Sequence, residues 1–185
     1  MHYMRMMRAL GLVVLIAIAG LAPASIRAAR AADNNHAPDL PSPLCDSVEV
    51  PRGNRVAYHA YAVGVQIYRW NGASWVFVEP VATLFADANY HEKVGIHYAG
   101  PTWELNSGSK VVATRLFGCS PDPTAIPWLQ LQTVSTDGPG IFSSVTYIQR
   151  VNTTGGLPPT APGRSIGAPA EVPYTAEYYF YRARD

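Results

Sequence analysis

The feature that most constrains the fold of this chain is a two-residue alternation of side-chain character in the segment from Gly64 to Glu79, GVQIYRWNGASWVFVE. Asn71-Gly72 divides the segment, and both residues tolerate the positive φ angle that a tight turn requires. The segment therefore predicts a β-hairpin with a loop of two or four residues. One face of this hairpin is aliphatic and carries Val65, Ile67, Val76 and Val78. The other face is aromatic and carries Tyr68, Trp70, Trp75 and Phe77.

The two faces have different requirements. An aliphatic face needs a core to cover it, whereas an aromatic face fits either a second core or a flat ligand. The position of the aromatic face is therefore the main question that the hairpin raises about function.

The same period of two recurs along the rest of the chain, with turn residues between the runs. The alternating runs lie at 54–61, 94–98, 102–116, 127–134, 145–152 and 174–181. No stretch of ten or more residues after residue 31 has a convincing helical period. Strands at this spacing with Gly- and Pro-rich connections predict an all-β antiparallel fold, either a sandwich or a flattened barrel, with little or no helix.

The first 31 residues have the composition of a secretory signal peptide. Arg5 and Arg8 precede the apolar run Ala9 to Leu21, and small residues follow it. The run is shorter than the ~20 residues that a membrane-spanning helix needs. We therefore predict cleavage between residues 24 and 32, no membrane span in the mature chain, and export to the periplasm or the medium. An uncleaved membrane anchor is the alternative.

Removal of residues 1–31 changes the charge balance. The whole chain has 14 Lys and Arg against 13 Asp and Glu, and the segment removed contains four arginines and no acid, which leaves 10 against 13 and a net charge of −3. The remaining basic residues are scattered singly, whereas a protein that neutralises nucleic-acid phosphates needs them clustered. The composition therefore argues against nucleic acid as a partner.

The organisation predicted for the mature chain is simple. Residues 32–43 form a flexible leader and residues 44–185 a single domain, in which the Pro- and Gly-rich stretch 155–173 is an irregular surface loop. Cys45 and Cys119 are the only cysteines, and an even number in an exported chain predicts a disulfide between them. Two reduced, buried thiols are the alternative.

Several long strings of this sequence resemble one protein family. They are GVQIYRWNGASWVFVEP, ATLFADANY, KVGIHYAGPTWELNSGSKVV, PDPTAIPWLQLQTVST, GPGIF, VTYIQRVNTTGG and VPYTAEYYFY. These strings are similar to the DUF3455 family of exported bacterial and fungal proteins of unknown function, some fungal members of which are described as appressorium-associated. The resemblance implies an exported all-β domain but no activity, cofactor or catalytic residue. The strings most typical of the family centre on His97, Trp103, Lys110, 150–153 and Glu177.

Catalysis by paired carboxylates is one functional hypothesis. A glycoside-type hydrolase needs two carboxylates that face each other across a cleft, and the weak candidates are Asp87, Glu104 and Glu177. Glu177 lies between aromatic residues, which would suit the raised pKa of a general acid. Its alternative role is a structural hydrogen bond to Arg150 or Asn152.

A non-catalytic binding or surface-interaction role is the favoured hypothesis. Trp70, Trp75 and Trp103 lie on or beside predicted hairpins, and exposed rings beside amide groups suit the stacking of sugars. Together with His97 they form the predicted ligand-binding set, with carbohydrate or cell-surface components as candidate partners. Core packing is the alternative for each tryptophan, and a purely structural envelope or matrix protein is the third functional hypothesis.

The sequence predicts no cofactor and no metal site. His91 and His97 are six residues apart and would be separated by about 20 Å on one extended strand. The two cysteines also lack the close spacing of zinc ligands.

Overall fold

A computed structural model describes residues 36–184, and the predicted signal peptide lies outside this range. Eight antiparallel strands follow in order: β1 (Asn54–Trp70), β2 (Trp75–Phe85), β3 (Lys93–Tyr98), β4 (Thr102–Leu105), β5 (Lys110–Cys119), β6 (Trp128–Asp137), β7 (Val145–Gly155) and β8 (Pro169–Ala183). Strand β8 pairs with β1 and closes the sheet. The predicted all-β antiparallel fold is confirmed, and of the two predicted architectures the chain adopts the barrel.

Helical structure in residues 36–184 consists of two short 3-10 turns, Asp46–Val48 and Ile141–Ser144. The described part of the chain contains no helix with the length and apolar character needed to cross a membrane.

One half of the barrel interior is filled by aromatic side chains. Inward positions alternate along each strand, and on β1 they are occupied by small residues such as Ala60 and Ala62, which leave room for large rings from β8. Phe180 of β8 packs against Phe142, with ring centroids 4.4 Å apart, and Phe142 is fully buried. Phe142 belongs to the 3-10 turn between β6 and β7, so this turn plugs one end of the barrel.

The N-terminal segment covers part of the outer surface. Its Cys45 forms the predicted disulfide with Cys119 at the end of β5, with an Sγ–Sγ distance of 2.08 Å. The side-chain amide of Gln149 on β7 donates to the Val48 carbonyl at 2.6 Å. Leu40 packs against the buried cluster beneath the segment. The disulfide is compatible with an exported protein.

The predicted hairpin at Gly64 to Glu79 is present, with a four-residue loop between the paired residues Trp70 and Trp75. The aromatic face turns towards the barrel interior, where the Tyr68 and Phe77 rings lie 5.7 Å apart. The expectation that the aliphatic face would be covered by a core is wrong. Val76 is 48% exposed, because a closed barrel has one core and everything outside that core faces solvent unless another segment covers it. Val78 is 44% exposed and lies at a bulge that turns it towards the mouth of the barrel interior.

The barrel wall is incomplete on one side because β3 and β4 are short. Pairing between β2 and β3 stops at Ala82 and His97, and pairing between β4 and β5 stops at Thr102 and Val112. Residues 75–81 of β2 and 113–119 of β5 continue past the β3–β4 turn with no strand between them in the described chain. This side gap gives solvent a route into the second half of the interior.

Candidate functional site

The side gap leads into a cavity of about 820 Å³ inside the barrel. Small-molecule sites typically enclose ~300–1,000 Å³. The walls are largely apolar and include Phe77, Val78, Pro80, Val112, Ala113, Ile126, Pro127, Leu129, Leu131 and Val134. Eight polar or partly polar side chains also line it. Thr114 and Arg115 are exposed on β5, and the Tyr68 hydroxyl donates to the carbonyl of Gly156. We call the other five the interior polar cluster: Gln66, His97, Trp103, Arg150 and Tyr178.

Arg150 enters the cavity because it lies two residues after the inward-facing Ile148 on β7. Its Nε and Nη2 atoms donate to the carbonyl of Pro127 at 3.1 and 2.8 Å, which holds the guanidinium against the β5–β6 connection. The hydroxyl of Tyr178 accepts a further hydrogen bond from it, and this interaction opposes the rise in the Tyr178 pKa that burial causes. Among residues 36–184, no carboxylate forms an ion pair with Arg150.

His97 is buried at the inner wall, where its ring stacks on Trp103 at 4.3 Å with an interplanar angle of 13°. Its Nδ1 lies 2.8 Å from the carbonyl of Thr102. A carbonyl can only accept, so Nδ1 carries the proton in the neutral ring and Nε2 is left as an acceptor. Burial lowers the pKa of His97 to about 3, with the charge of Arg150 acting in the same direction against the Thr102 hydrogen bond. His97 is therefore neutral at pH 7.

Two donors in the interior polar cluster lack partners within the described chain. They are Nε2 of Gln66 and Nε1 of Trp103, both fully buried. The Gln66 amide lies near enough to the Tyr174 phenol to affect its pKa, yet its nitrogen completes no hydrogen bond. An unpaired buried donor typically costs ~1–3 kcal/mol. The cavity therefore contains polar atoms that an entering acceptor would satisfy.

The four predicted ligand-binding residues divide into two pairs. His97 and Trp103 belong to the interior polar cluster. Trp70 and Trp75 do not line the cavity, and their half-buried rings meet edge to face at 5.5 Å and 62° instead of forming a coplanar platform.

The connection between β7 and β8 packs over these two tryptophans. Nε1 of Trp75 donates to the carbonyl of Ala161 at 2.9 Å. Gly163 approaches the other indole so closely that an added Cβ would lie 2.5 Å from atoms of Trp70. Trp70 and Trp75 therefore hold this connection in place. The irregular part spans residues 156–168, shorter than the predicted loop 155–173, because β8 begins at Pro169.

Glu177 lies on the outer face of β8 and is held by three side chains. Nε2 of His59 lies 2.8 Å from its carboxylate, Asn152 donates to it at 2.9 Å, and Tyr179 donates at 3.1 Å. Burial by itself would raise the Glu177 pKa, but these three partners outweigh burial and lower it. The carboxylate thus has the predicted structural bond to Asn152, and its pKa moves away from what a general acid at neutral pH needs.

Glu104 is not brought to Glu177 across a cleft, whereas Asp87 and Glu177 both lie near enough to Tyr61 to add to the rise in its pKa that burial causes. Glu104 is on β4 and accepts a hydrogen bond from the Tyr98 hydroxyl at 2.8 Å. Strands β4 and β8 are four positions apart in an eight-stranded barrel, so Glu104 and Glu177 lie on opposite sides of it. Asp87 lies in the β2–β3 connection, where the backbone N–H of Asn89 lowers its pKa.

Sequence reasoning missed most of the interior polar cluster. Alternation along the C-terminal strand puts Tyr178 on one face with Tyr174 and Ala176, but nothing in the sequence shows that this face meets Arg150 and Gln66. It also missed the string GRSIG at 163–167, which fits the G-x-S-x-G pattern of serine hydrolases. That pattern requires a strand-to-helix turn, whereas Ser165 lies in the irregular β7–β8 connection.

Within residues 36–184, no group of three His, Cys, Asp or Glu side chains is placed to hold a metal ion.

Comparison with known proteins identifies a family but no characterised relative. A family model described as "Protein of unknown function (DUF3455)" matches residues 51–182. No curated protein and no solved structure matches the chain. The matched range includes β1 to β7, all of β8 except its last residue, and every member of the interior polar cluster.

Proposed function

The chain belongs to the DUF3455 family of proteins of unknown function, and from the geometry of its barrel we propose that it is a non-catalytic binding protein for a small, largely apolar molecule. The observation that carries this proposal is the open cavity of about 820 Å³ inside the barrel. The predicted signal peptide and the disulfide support action outside the cytoplasm, in the periplasm or the medium.

The size of the cavity supports a binding role over incomplete packing. Protein interiors are close-packed, and voids larger than a water molecule are few. Eight-stranded barrels have an interior that is either filled by side chains or wide enough for one small ligand. This barrel combines both arrangements, since Phe142 and Phe180 fill one half and the other half stays open.

The composition of the walls supports a ligand more apolar than the sugar expected from the sequence. A sugar presents hydroxyl groups in many directions, and each needs a partner once water is removed. Here the polar side chains are those of the interior polar cluster together with Tyr68 and the exposed Thr114 and Arg115, and the rest of the wall is mainly aliphatic. Exposed apolar residues at the entrance, such as Phe77 and Val134 at 50% and 65% exposure, fit the same preference.

Binding of the neutral fluorophore N-phenyl-1-naphthylamine tests the proposal. We expect the protein to bind it and the variant Ala113→Leu to bind it about tenfold more weakly, because Ala113 is a small buried wall residue and added methyl groups would occupy ligand space. Ala73→Phe is the control, since Ala73 is exposed in the β1–β2 loop outside the cavity. Near-ultraviolet circular dichroism checks that each variant is folded. Unchanged affinity in folded Ala113→Leu would contradict binding in the cavity.

A further inference from the structure

The charges inside the cavity narrow the class of ligand. We infer that the ligand is a small organic acid, in which a single anionic group such as a carboxylate pairs with Arg150 and an apolar body lies along the aliphatic wall. This inference rests on the proposed binding function and adds the chemistry of the head group.

The positive charge inside the cavity has no acidic partner among residues 36–184. Arg150 lies in the barrel interior without an acidic partner in the described chain, and none of the residues that line the cavity is Asp or Glu. The second cation of the lining is Arg115, which is exposed. Arg150 is half-buried, and a guanidinium that is partly removed from bulk water, which always keeps its charge, is stabilised by a counter-ion. One interior guanidinium balances one negative charge, which favours a monoanion over a doubly charged phosphate.

The hydrogen-bond donors of the cavity that lack a partner in the described part of the chain also favour an anionic head group. Arg150 has five N–H donors, of which the Pro127 carbonyl takes two and the Tyr178 hydroxyl accepts one. The buried polar atoms of the cavity lining that lack a partner, Nε2 of Gln66 and Nε1 of Trp103, are also donors. A carboxylate consists only of acceptors and so matches these donors, whereas an ammonium group could donate to Nε2 of His97 but would be repelled by Arg150.

A matched pair of fluorophores tests the inference. 1-Anilinonaphthalene-8-sulfonate is a monoanion with the same ring system as the neutral N-phenyl-1-naphthylamine. We expect the protein to bind the sulfonate at least about tenfold more tightly, since hydrogen bonds to charged groups are stronger than neutral ones. In Arg150→Gln the affinity for the sulfonate should fall to that of the neutral compound. Decanoate should displace the bound sulfonate, and 1-decanol at the same concentration should not.

Three further variants keep the result interpretable. Arg52→Gln makes the same change in net charge at an exposed position before β1, and it should leave both affinities unchanged. Arg150→Lys keeps the charge but loses the planar guanidinium that can donate two hydrogen bonds to one anion. It should therefore retain part of the preference for the anion. Trp103→Phe removes the Nε1 donor and replaces the indole by a smaller ring. It should weaken binding of the sulfonate more than binding of the neutral compound.

The outcomes separate this inference from the proposed function. If both fluorophores bind with equal affinity, the head-group inference is wrong while the binding function stands. If neither binds to the folded protein, both are wrong. A preference for the sulfonate that survives in folded Arg150→Gln would place the anion elsewhere and overturn the assignment to Arg150. Should Arg150→Gln fail to fold, Trp103→Phe and the decanoate competition decide the question.

Discussion

Acidification from pH 6.5 to about 3 is expected to destabilise this protein by up to about 5 kcal/mol through His97 alone. Burial lowers the pKa of this residue from 6.5 to about 3. The unfolded chain therefore takes up the proton first as the pH falls, and the free energy of unfolding decreases by about 1.4 kcal/mol per pH unit in this window. The contribution of His97 to stability is complete above pH 6.5 and is lost as the pH falls towards the folded-state pKa of His97.

Urea unfolding at a series of pH values measures this effect. The side-chain amide of His97→Asn can still donate to the Thr102 carbonyl. In this variant the free energy of unfolding should depend less steeply on pH between 4 and 6, because almost one proton fewer is taken up on unfolding. His91→Asn is the matched control, because the His91 side chain is 79% exposed. Equal slopes in the protein and in His97→Asn would contradict the prediction. An NMR titration that gave His97 a pKa near 6.5 in the folded protein would contradict the prediction as well.

Loss of the Cys45–Cys119 bond is expected to lower the free energy of unfolding by about 4 kcal/mol in the chain-entropy description of a cross-link. The two cysteines are 74 residues apart, so the bond removes many conformations from the unfolded chain. It also ties down the segment before β1, whose Val48 is fully buried against the bond and whose carbonyl accepts from Gln149. The double variant Cys45→Ala/Cys119→Ala should show the loss in urea unfolding.

A reductant provides the control for this experiment. Dithiothreitol should destabilise the unmodified protein to the level of the double variant and leave the variant unchanged. Hydrogen exchange should also become faster at the backbone amides of 45–49, which the bond holds against the barrel. A double variant as stable as the disulfide-bonded protein would show that the native contacts of the segment are sufficient without the cross-link.

Much of the architecture could be predicted because it depends on local patterns. Alternation of side chains identifies strands and sorts their faces, since successive residues of a strand point to opposite sides. It correctly placed Tyr68, Trp70, Trp75 and Phe77 on one face, and in the structure Tyr68 pairs with Phe77 and Trp70 with Trp75. The C-terminal strand is internal to the sheet, since β8 pairs with both β7 and β1. Two cysteines in a chain with a predicted export signal were enough to predict the disulfide.

Of the interior polar cluster, His97 and Trp103 were in the predicted ligand-binding set. The other members could not be predicted because they come from distant parts of the chain. Gln66, His97, Arg150 and Tyr178 meet only when β8 closes on β1 and the inward faces of β1, β3, β7 and β8 surround one space. Alternation shows which residues share a face of one strand, but it does not show whether that face is inside or outside a closed sheet. For this reason the aliphatic face of the first hairpin was expected to lie in a core and is instead outside.

The sequence by itself determined the strands, their faces, the disulfide and the family, because each of these depends on residue type and on short-range spacing. Only the tertiary structure decided that the sheet closes and that the short β3–β4 hairpin leaves a side gap in its wall. It also decided that an arginine without an acidic partner in the described chain lies inside. These features depend on register and on the relative lengths of strands that are distant in sequence, which no local pattern encodes.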